Sequence, residues 1–211
     1  MNKSLLVLAW KNLMIDMSIR ADFIGTFRWF ERCYEEDGRY YHTLEHIDAC
    51  FDEFVRVRSL LEHPNEVALA IWFHDLVYDT HQNDNEEKSA LEALMFCFNS
   101  GLERSAGRVQ QLVLATRHAT GASDWTSDTC FLVDIDLSIL GKSESVFTRY
   151  EHQIRREYRW VAEADFRMGR TRILESFLAR QNIYHTDHFR TKYEEQARKN
   201  LARSIEKLRS S

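Results

Sequence analysis

The sequence predicts an all-α fold, a single-domain helical bundle, and three observations carry that expectation. Proline occurs once, at Pro64, and glycine only seven times, so little in the chain interrupts long helices. Apolar residues recur at spacings of three and four almost throughout, the pattern of a helix with one buried face. No repeat, low-complexity tract or linker-like stretch divides residues 1–211, which predicts one domain with its first and last helices packed on the core.

Leu5-Leu6-Val7-Leu8-Ala9-Trp10 is apolar but is closed by Lys11. It is too short to span a bilayer and no small-residue cleavage site follows, so it is expected to be an amphipathic helix docked on the core. Membrane association is not indicated, and a cytoplasmic location follows as the default expectation. Phe23, Ile24, Phe27, Phe30 and Tyr34 predict a second helix. Ile47, Cys50, Phe51, Phe54, Val57 and Leu61 predict a third, ended by His63-Pro64 because proline disfavours helical geometry in the residue before it. Glu66 to Asp75 reads as a short helix apolar on nearly every side. Tyr78 to Asp84 is a polar loop, with Asn85 the expected N-cap of the next helix and Glu86 and Glu87 in its first turn.

Leu91, Leu94, Met95 and Phe98 form that helix's apolar face, and Gly101 is its expected stop. Val109, Leu112, Val113 and Thr116 continue helically to His118, and Ala119 to Ser127 is loop-like. Phe131 to Leu140 is apolar around Asp134 and Asp136 and is closed by Gly141. Further helical spacing follows in Phe147, Tyr150, Ile154 and Tyr158, and in Ile173, Leu174, Phe177 and Leu178. The basic stretch from Arg190 to Arg209 is expected to be a solvated helix face.

Charge and cysteine usage narrow the function classes. A formal net charge of -5 offers no global basic field, so binding of a nucleic-acid polymer is not indicated. Cys33, Cys50, Cys97 and Cys130 lie far apart with no CxxC pair, the pattern of packed thiols in a reducing compartment.

The chemistry concentrates in two histidine clusters. Tyr41-His42-Thr43-Leu44-Glu45-His46 opens one helix, and Trp72-Phe73-His74-Asp75 closes the apolar one. A His-Asp dipeptide within an apolar run is unusual, since adjacent ionisable groups are rarely buried unless something pairs or coordinates them. Asp134 and Asp136 interrupt another apolar stretch and call for a metal or an arginine nearby. Imidazole with carboxylate suits a borderline-to-hard divalent ion, so manganese, magnesium, iron, cobalt, nickel or zinc is the expected cofactor.

The order His46, His74-Asp75, Asp136 resembles the signature of the HD superfamily of metal-dependent phosphohydrolases, which are all-helical, and especially a bacterial branch of that superfamily without an assigned substrate. The matching strings are RYYHTLEHI, WFHDLVYD, NEEKSA, ATRHAT, DIDLSILG, QNIYHT and ARKNLAR, spread over nearly the whole chain. The resemblance implies a helical bundle of the HD-domain type, with the metal held by His46, His74, Asp75 and Asp136. His42 remains an alternative to His46, and Asp134 to Asp136.

The activity implied is hydrolysis of a phosphoester or phosphoanhydride by a metal-activated water, with a phosphorylated small molecule, a nucleotide by resemblance, as substrate. Asp75 would bind metal and orient that water, while His42 or His118 would neutralise phosphate charge or protonate the leaving oxygen. Glu86 is a further candidate general base. Between the His-Asp pair and the late aspartates the chain carries only His81, in the polar loop, and His118, so a multi-histidine two-metal site is not expected. Arg39, Lys88, Arg117 and Arg155 are candidate phosphate contacts. Two alternatives belong to other classes: a non-catalytic metal- or nucleotide-binding regulatory module, and a di-iron oxygenase of the HD type.

Overall fold

The structure is a computed structural model that describes residues 3–118 and 125–210. All regular structure among the described residues is helical, in ten α-helices and two short 3-10 segments. No helix among them is long and apolar enough to cross a membrane. The packing divides into two compact units, Met1–Val133 and Asp134–Ser211, and each is described by itself.

The first unit contains α1 (Lys3–Asp16), α2 (Phe23–Tyr34), α3 (Leu44–Val57), α4 (Pro64–Phe73), α5 (Asn85–Asn99), α6 (Glu103–Ala115) and the first turns of α7 (Ser127–Asp136). Its organising element is α4, in which every residue from Glu66 to Phe73 is buried. A helix apolar all round must be enclosed on all sides, and α1, α3, α5 and α6 pack on it. Aromatic rings fill the junction: Phe30 stacks on Trp72 at 5.0 Å, and Trp10 meets Phe30 edge-on at 5.0 Å. Burial of these large rings dominates the apolar stabilisation of this unit.

Local chemistry starts and stops these helices. The Asp22 carboxylate accepts the Ile24 and Gly25 N–H groups at the start of α2. The Thr43 hydroxyl accepts the Glu45 N–H at the start of α3. Pro64 opens α4, where a missing N–H costs nothing. Asp128 at the start of α7 takes the Glu62 and His63 N–H groups at 2.8 Å each, tying the two helix starts together. Gly101, with φ of +77°, ends α5 as expected, and the Leu102 N–H returns to the Cys97 carbonyl at 2.8 Å.

Two expectations are corrected in this unit. Asn85 does not cap α5; its amide bonds both backbone groups of Asp79, at 3.1 and 2.9 Å, so it closes the loop in front of the helix. The helix begun at Leu44 does not run on to Leu61. It ends at Val57 and passes through one 3-10 turn before the chain reaches Pro64. Most of the expected loop from Ala119 to Ser127 lies outside the described residues.

The second unit follows α7's last turn with a 3-10 segment (Leu137–Gly141), then α8 (Glu144–Glu157), α9 (Glu163–Leu178) and α10 (Asp187–Ser210). Phe189, Tyr193, Ala197, Leu201 and Ile205 form the buried stripe of α10. The basic residues beside this stripe include Arg198, paired with Glu194 at 2.8 Å, and Lys199, paired with Glu195. Gly141 matters for close approach: a Cβ there would sit 2.4 Å from Tyr193 Cβ and 2.8 Å from its carbonyl oxygen. Asn200 then clamps the turn by donating to the Leu140 and Lys142 carbonyls, both at 2.8 Å.

The buried carboxylate of Glu66 is answered by Arg108 of α6 at 2.5 and 2.7 Å. Burial alone would raise its pKa, but the hydrogen bonds from Arg108 and Ser105 and the Arg108 charge pull it below the ordinary value of 4.5. A carboxyl lowered in the folded state adds stability above its unfolded pKa and loses it as pH falls through the folded value. Glu66→Gln should therefore cost about 1 kcal/mol near neutral pH, the exposed guanidinium limiting the gain. The difference from the parent should shrink as pH drops below 4.5. Urea midpoints at pH 7 and pH 3 check this, and a difference that grows toward acid would contradict it.

Candidate metal centre

His46 is the third residue of α3, and His74 follows the last residue of α4. Both are buried, and their Nε2 atoms face each other at 3.0 Å. Asp75 Oδ2 lies 3.0 Å from His74 Nε2 and 3.4 Å from His46 Nε2. The sequence-predicted ligands His46, His74 and Asp75 are thus brought together at the end of the enclosed helix.

A fourth donor was missed. Cys50 lies one turn beyond His46 on α3, with Sγ 3.7 Å from His46 Nε2. His46, Cys50 and His74 offer one donor atom each within 4.8 Å of one another. A helical spacing of four was visible in the chain. Without a CxxC partner the thiol was expected only to pack.

Proton placement prepares the site for a cation. His74 Nδ1 lies 2.9 Å from the Ile71 carbonyl, a bond that requires the proton on Nδ1. In the neutral ring Nε2 then carries the lone pair, as in histidines that ligate metals. Burial would raise the Asp75 carboxyl, but the imidazoles of His74, His42 and His46 hold it well below the usual carboxylate range. The buried imidazoles of His46 and His74 meet the Asp75 carboxylate on one side and have the Cys50 thiol near them, donors that could hold a metal ion.

Arg39 positions the centre. Its buried guanidinium donates to the carbonyls of Asp75 at 2.6 Å and Leu76 at 2.8 Å, and to that of His42 at 3.3 Å. The Glu36 carboxylate accepts from it at 3.1 and 3.2 Å, and the rings of Tyr34 and Tyr78 flank it. Its donors hold backbone and Glu36, so it is a structural clasp and not the phosphate contact expected from sequence. The Tyr34 hydroxyl adds a bond to the Trp72 carbonyl at 2.9 Å. Beyond Asp75, Ser89 of α5 accepts the Val77 N–H at 3.0 Å and fixes the outgoing loop.

The other predicted residues take separate places. His42 stacks on Tyr78 at 4.1 Å, with its ring 6.1 Å from that of His46. Glu86 sits in the first turn of α5; burial raises its carboxyl, and the charges of Asp75 and Glu87 add to that against a downward pull from its own backbone N–H and from His118. His118 follows α6 with a left-handed φ of +54°. Lys88 pairs with Asp84 at 2.7 Å, Arg117 with Glu87, and Arg155, in the second unit, with Glu163 at 2.9 Å.

Of the two late aspartates, Asp134 has a structural role. Fully buried, it accepts the His185 and Thr186 N–H groups at 2.8 Å each and the Thr186 hydroxyl at 2.7 Å. Burial still raises it to about 6. Backbone donors at the approach to α10 thus hold the Asp134 carboxylate, where a metal or an arginine was expected. Asp136 is the last residue of α7, half-buried in the second unit.

Comparison with known proteins finds no matching family model, no matching curated protein and no matching solved structure.

Replacing Arg39 by methionine keeps the stem but leaves the Asp75 and Leu76 carbonyls without their donor. The expected loss is about 3 kcal/mol of stability, the scale of two buried acceptors stripped of a charged partner. Chemical denaturation checks it. An unchanged midpoint would show that Arg39 does not clasp the end of α4.

Proposed function

We propose that this protein is a metal-dependent phosphohydrolase of the HD superfamily, acting on a phosphoester or phosphoanhydride, with nucleotides as the substrate class. The supporting observation is the convergence of His46 Nε2, His74 Nε2 and Asp75 Oδ2 at 3.0 to 3.4 Å. These three residues would hold the ion, with Asp136 as the further ligand supplied by the sequence resemblance. A bound divalent ion lowers the pKa of a coordinated water and polarises a phosphoryl oxygen.

The chain's own groups account for the remaining chemistry. Asp75 faces both imidazoles through Oδ2, and its second oxygen would orient the attacking water. The Ile71 carbonyl accepts the His74 Nδ1 proton and orients the ring with Nε2 toward the site. His42, stacked on Tyr78, supplies positive charge to the phosphoryl oxygens or a proton to the leaving oxygen. His118 is the next candidate for that role, and Glu86, whose carboxyl is raised by burial, is the candidate general base. The Arg39 clasp keeps His42 and Asp75 in register through their carbonyls.

The deciding experiment loads purified protein separately with Mn, Mg, Co, Ni and Fe and assays phosphate release from nucleoside mono-, di- and triphosphates and generic phosphodiesters. Metal-dependent turnover of at least one substrate is expected. The His74→Ala, Asp75→Ala double variant should lose both bound metal and activity while its far-ultraviolet helicity is retained. Turnover by none of the loaded forms would move the assignment to a non-catalytic metal- or nucleotide-binding module. Two irons per chain with oxygen consumption would move it to an oxygenase.

A further inference from the structure

We infer that Cys50 is a thiolate ligand of this centre, which makes it selective for a borderline or soft cation, Zn(II), Co(II) or Fe(II), over Mg(II). The inference deepens the metal-centre reading above and rests on it.

The geometry carries the assignment. Cys50 Sγ lies 3.7 Å from His46 Nε2, the atom that also faces His74 Nε2 and Asp75 Oδ2. Nitrogen and sulfur donors on one tetrahedral ion, with bonds of roughly 2.05 and 2.3 Å, sit about 3.6 Å apart, and two nitrogens about 3.3 Å. The observed N···N and N···S separations of 3.0 and 3.7 Å are near those values, and Sγ is equally close to His46 Nδ1 at 3.8 Å, so ligation requires a side-chain rotation that carries the thiol from the edge of the ring toward the Nε2 side. Cys50 is buried at 2% exposure with its neighbours His46 and His74 at 4% and 2%, so a cation there would meet protein donors in place of bulk water. The helix fixes the relation between His46 and Cys50, because residues four apart share a face.

Another buried thiol provides the contrast. Cys97 is fully buried, and burial together with the Glu66 charge pushes it up to about 12, the behaviour of an inert packed thiol. Cys50 differs in its surroundings: donor nitrogens of His46 and His74 lie within 4.8 Å where packing alone would call for apolar neighbours. Thiolate is a poor ligand for Mg(II) and a good one for Zn(II), Co(II) and Fe(II), so a single sulfur biases the centre toward the latter group.

Cobalt absorption separates this inference from the reading beneath it. Metal-free full-length protein is titrated with Co(II) under reducing conditions. Visible d–d bands report an ion in a protein site, and a near-ultraviolet thiolate-to-cobalt band reports sulfur ligation. Both are expected in the parent and in a Cys33→Ser, Cys97→Ala, Cys130→Ser variant, where Cys50 is the remaining thiol. Cys50→Ser should retain the visible bands, lose the near-ultraviolet band and bind Zn(II) about 10- to 100-fold more weakly. Its Mn(II) affinity should change by less than about threefold. Visible bands without the thiolate band in the parent would overturn the Cys50 assignment and leave the metal centre standing. A thiolate band that survives in Cys50→Ser would also overturn it. No cobalt bands of either kind in the parent would overturn the metal centre itself.

Discussion

The enclosure of α4 is the constraint on which the first unit depends. A ten-residue helix that is apolar on every side can be stable in water only if other helices surround it. Once α1, α3, α5 and α6 pack on it, whatever ends the helix is delivered to the interior as well. Here the ending is His74-Asp75. The polar pair is buried because the apolar run before it must be, and its chemistry then requires partners at the same depth.

Those partners are of two kinds. Backbone carbonyls exposed by the end of α4 are collected by the Arg39 guanidinium, itself neutralised by Glu36 and sandwiched by Tyr34 and Tyr78. The His74 and Asp75 side chains meet His46 of α3. The clasp and the donor cluster therefore share one helix end. Elsewhere the interior charges are met by the chain alone: Glu66 by Arg108, Asp128 by the Glu62 and His63 amides, and Asp134 by the His185 and Thr186 amides. In the donor cluster the Asp75 carboxylate meets the imidazoles of His46 and His74, with the Cys50 thiol beside His46, a group that could hold a divalent cation.

Much of this was legible in the chain, and the misses have physical causes. The span Phe23–Tyr34 follows its apolar period, a local signal. Gly101 was readable because a left-handed residue after an apolar face favours glycine. Asn85 was misread because a good capping residue is also a good loop residue, and its Asp79 partner depends on the path of the intervening turn. Asp134 drew a metal or arginine expectation because burial of a carboxylate demands compensation. Backbone amides some fifty residues away provide it, and no local pattern announces those.

The sequence by itself determined the helical class, the burial of α4 and the identity of the chemically unusual residues, because periodicity and local propensity act over a few residues. The family resemblance carried by their order grouped His46, His74 and Asp75 as ligands, with His42 open as an alternative to His46. Only the tertiary structure decided that Cys50 joins them, that Arg39 clasps backbone and not phosphate, and that Asp134 is a structural acceptor. Each of those outcomes depends on which atoms from distant segments meet, and helix packing, not spacing along the chain, sets those distances.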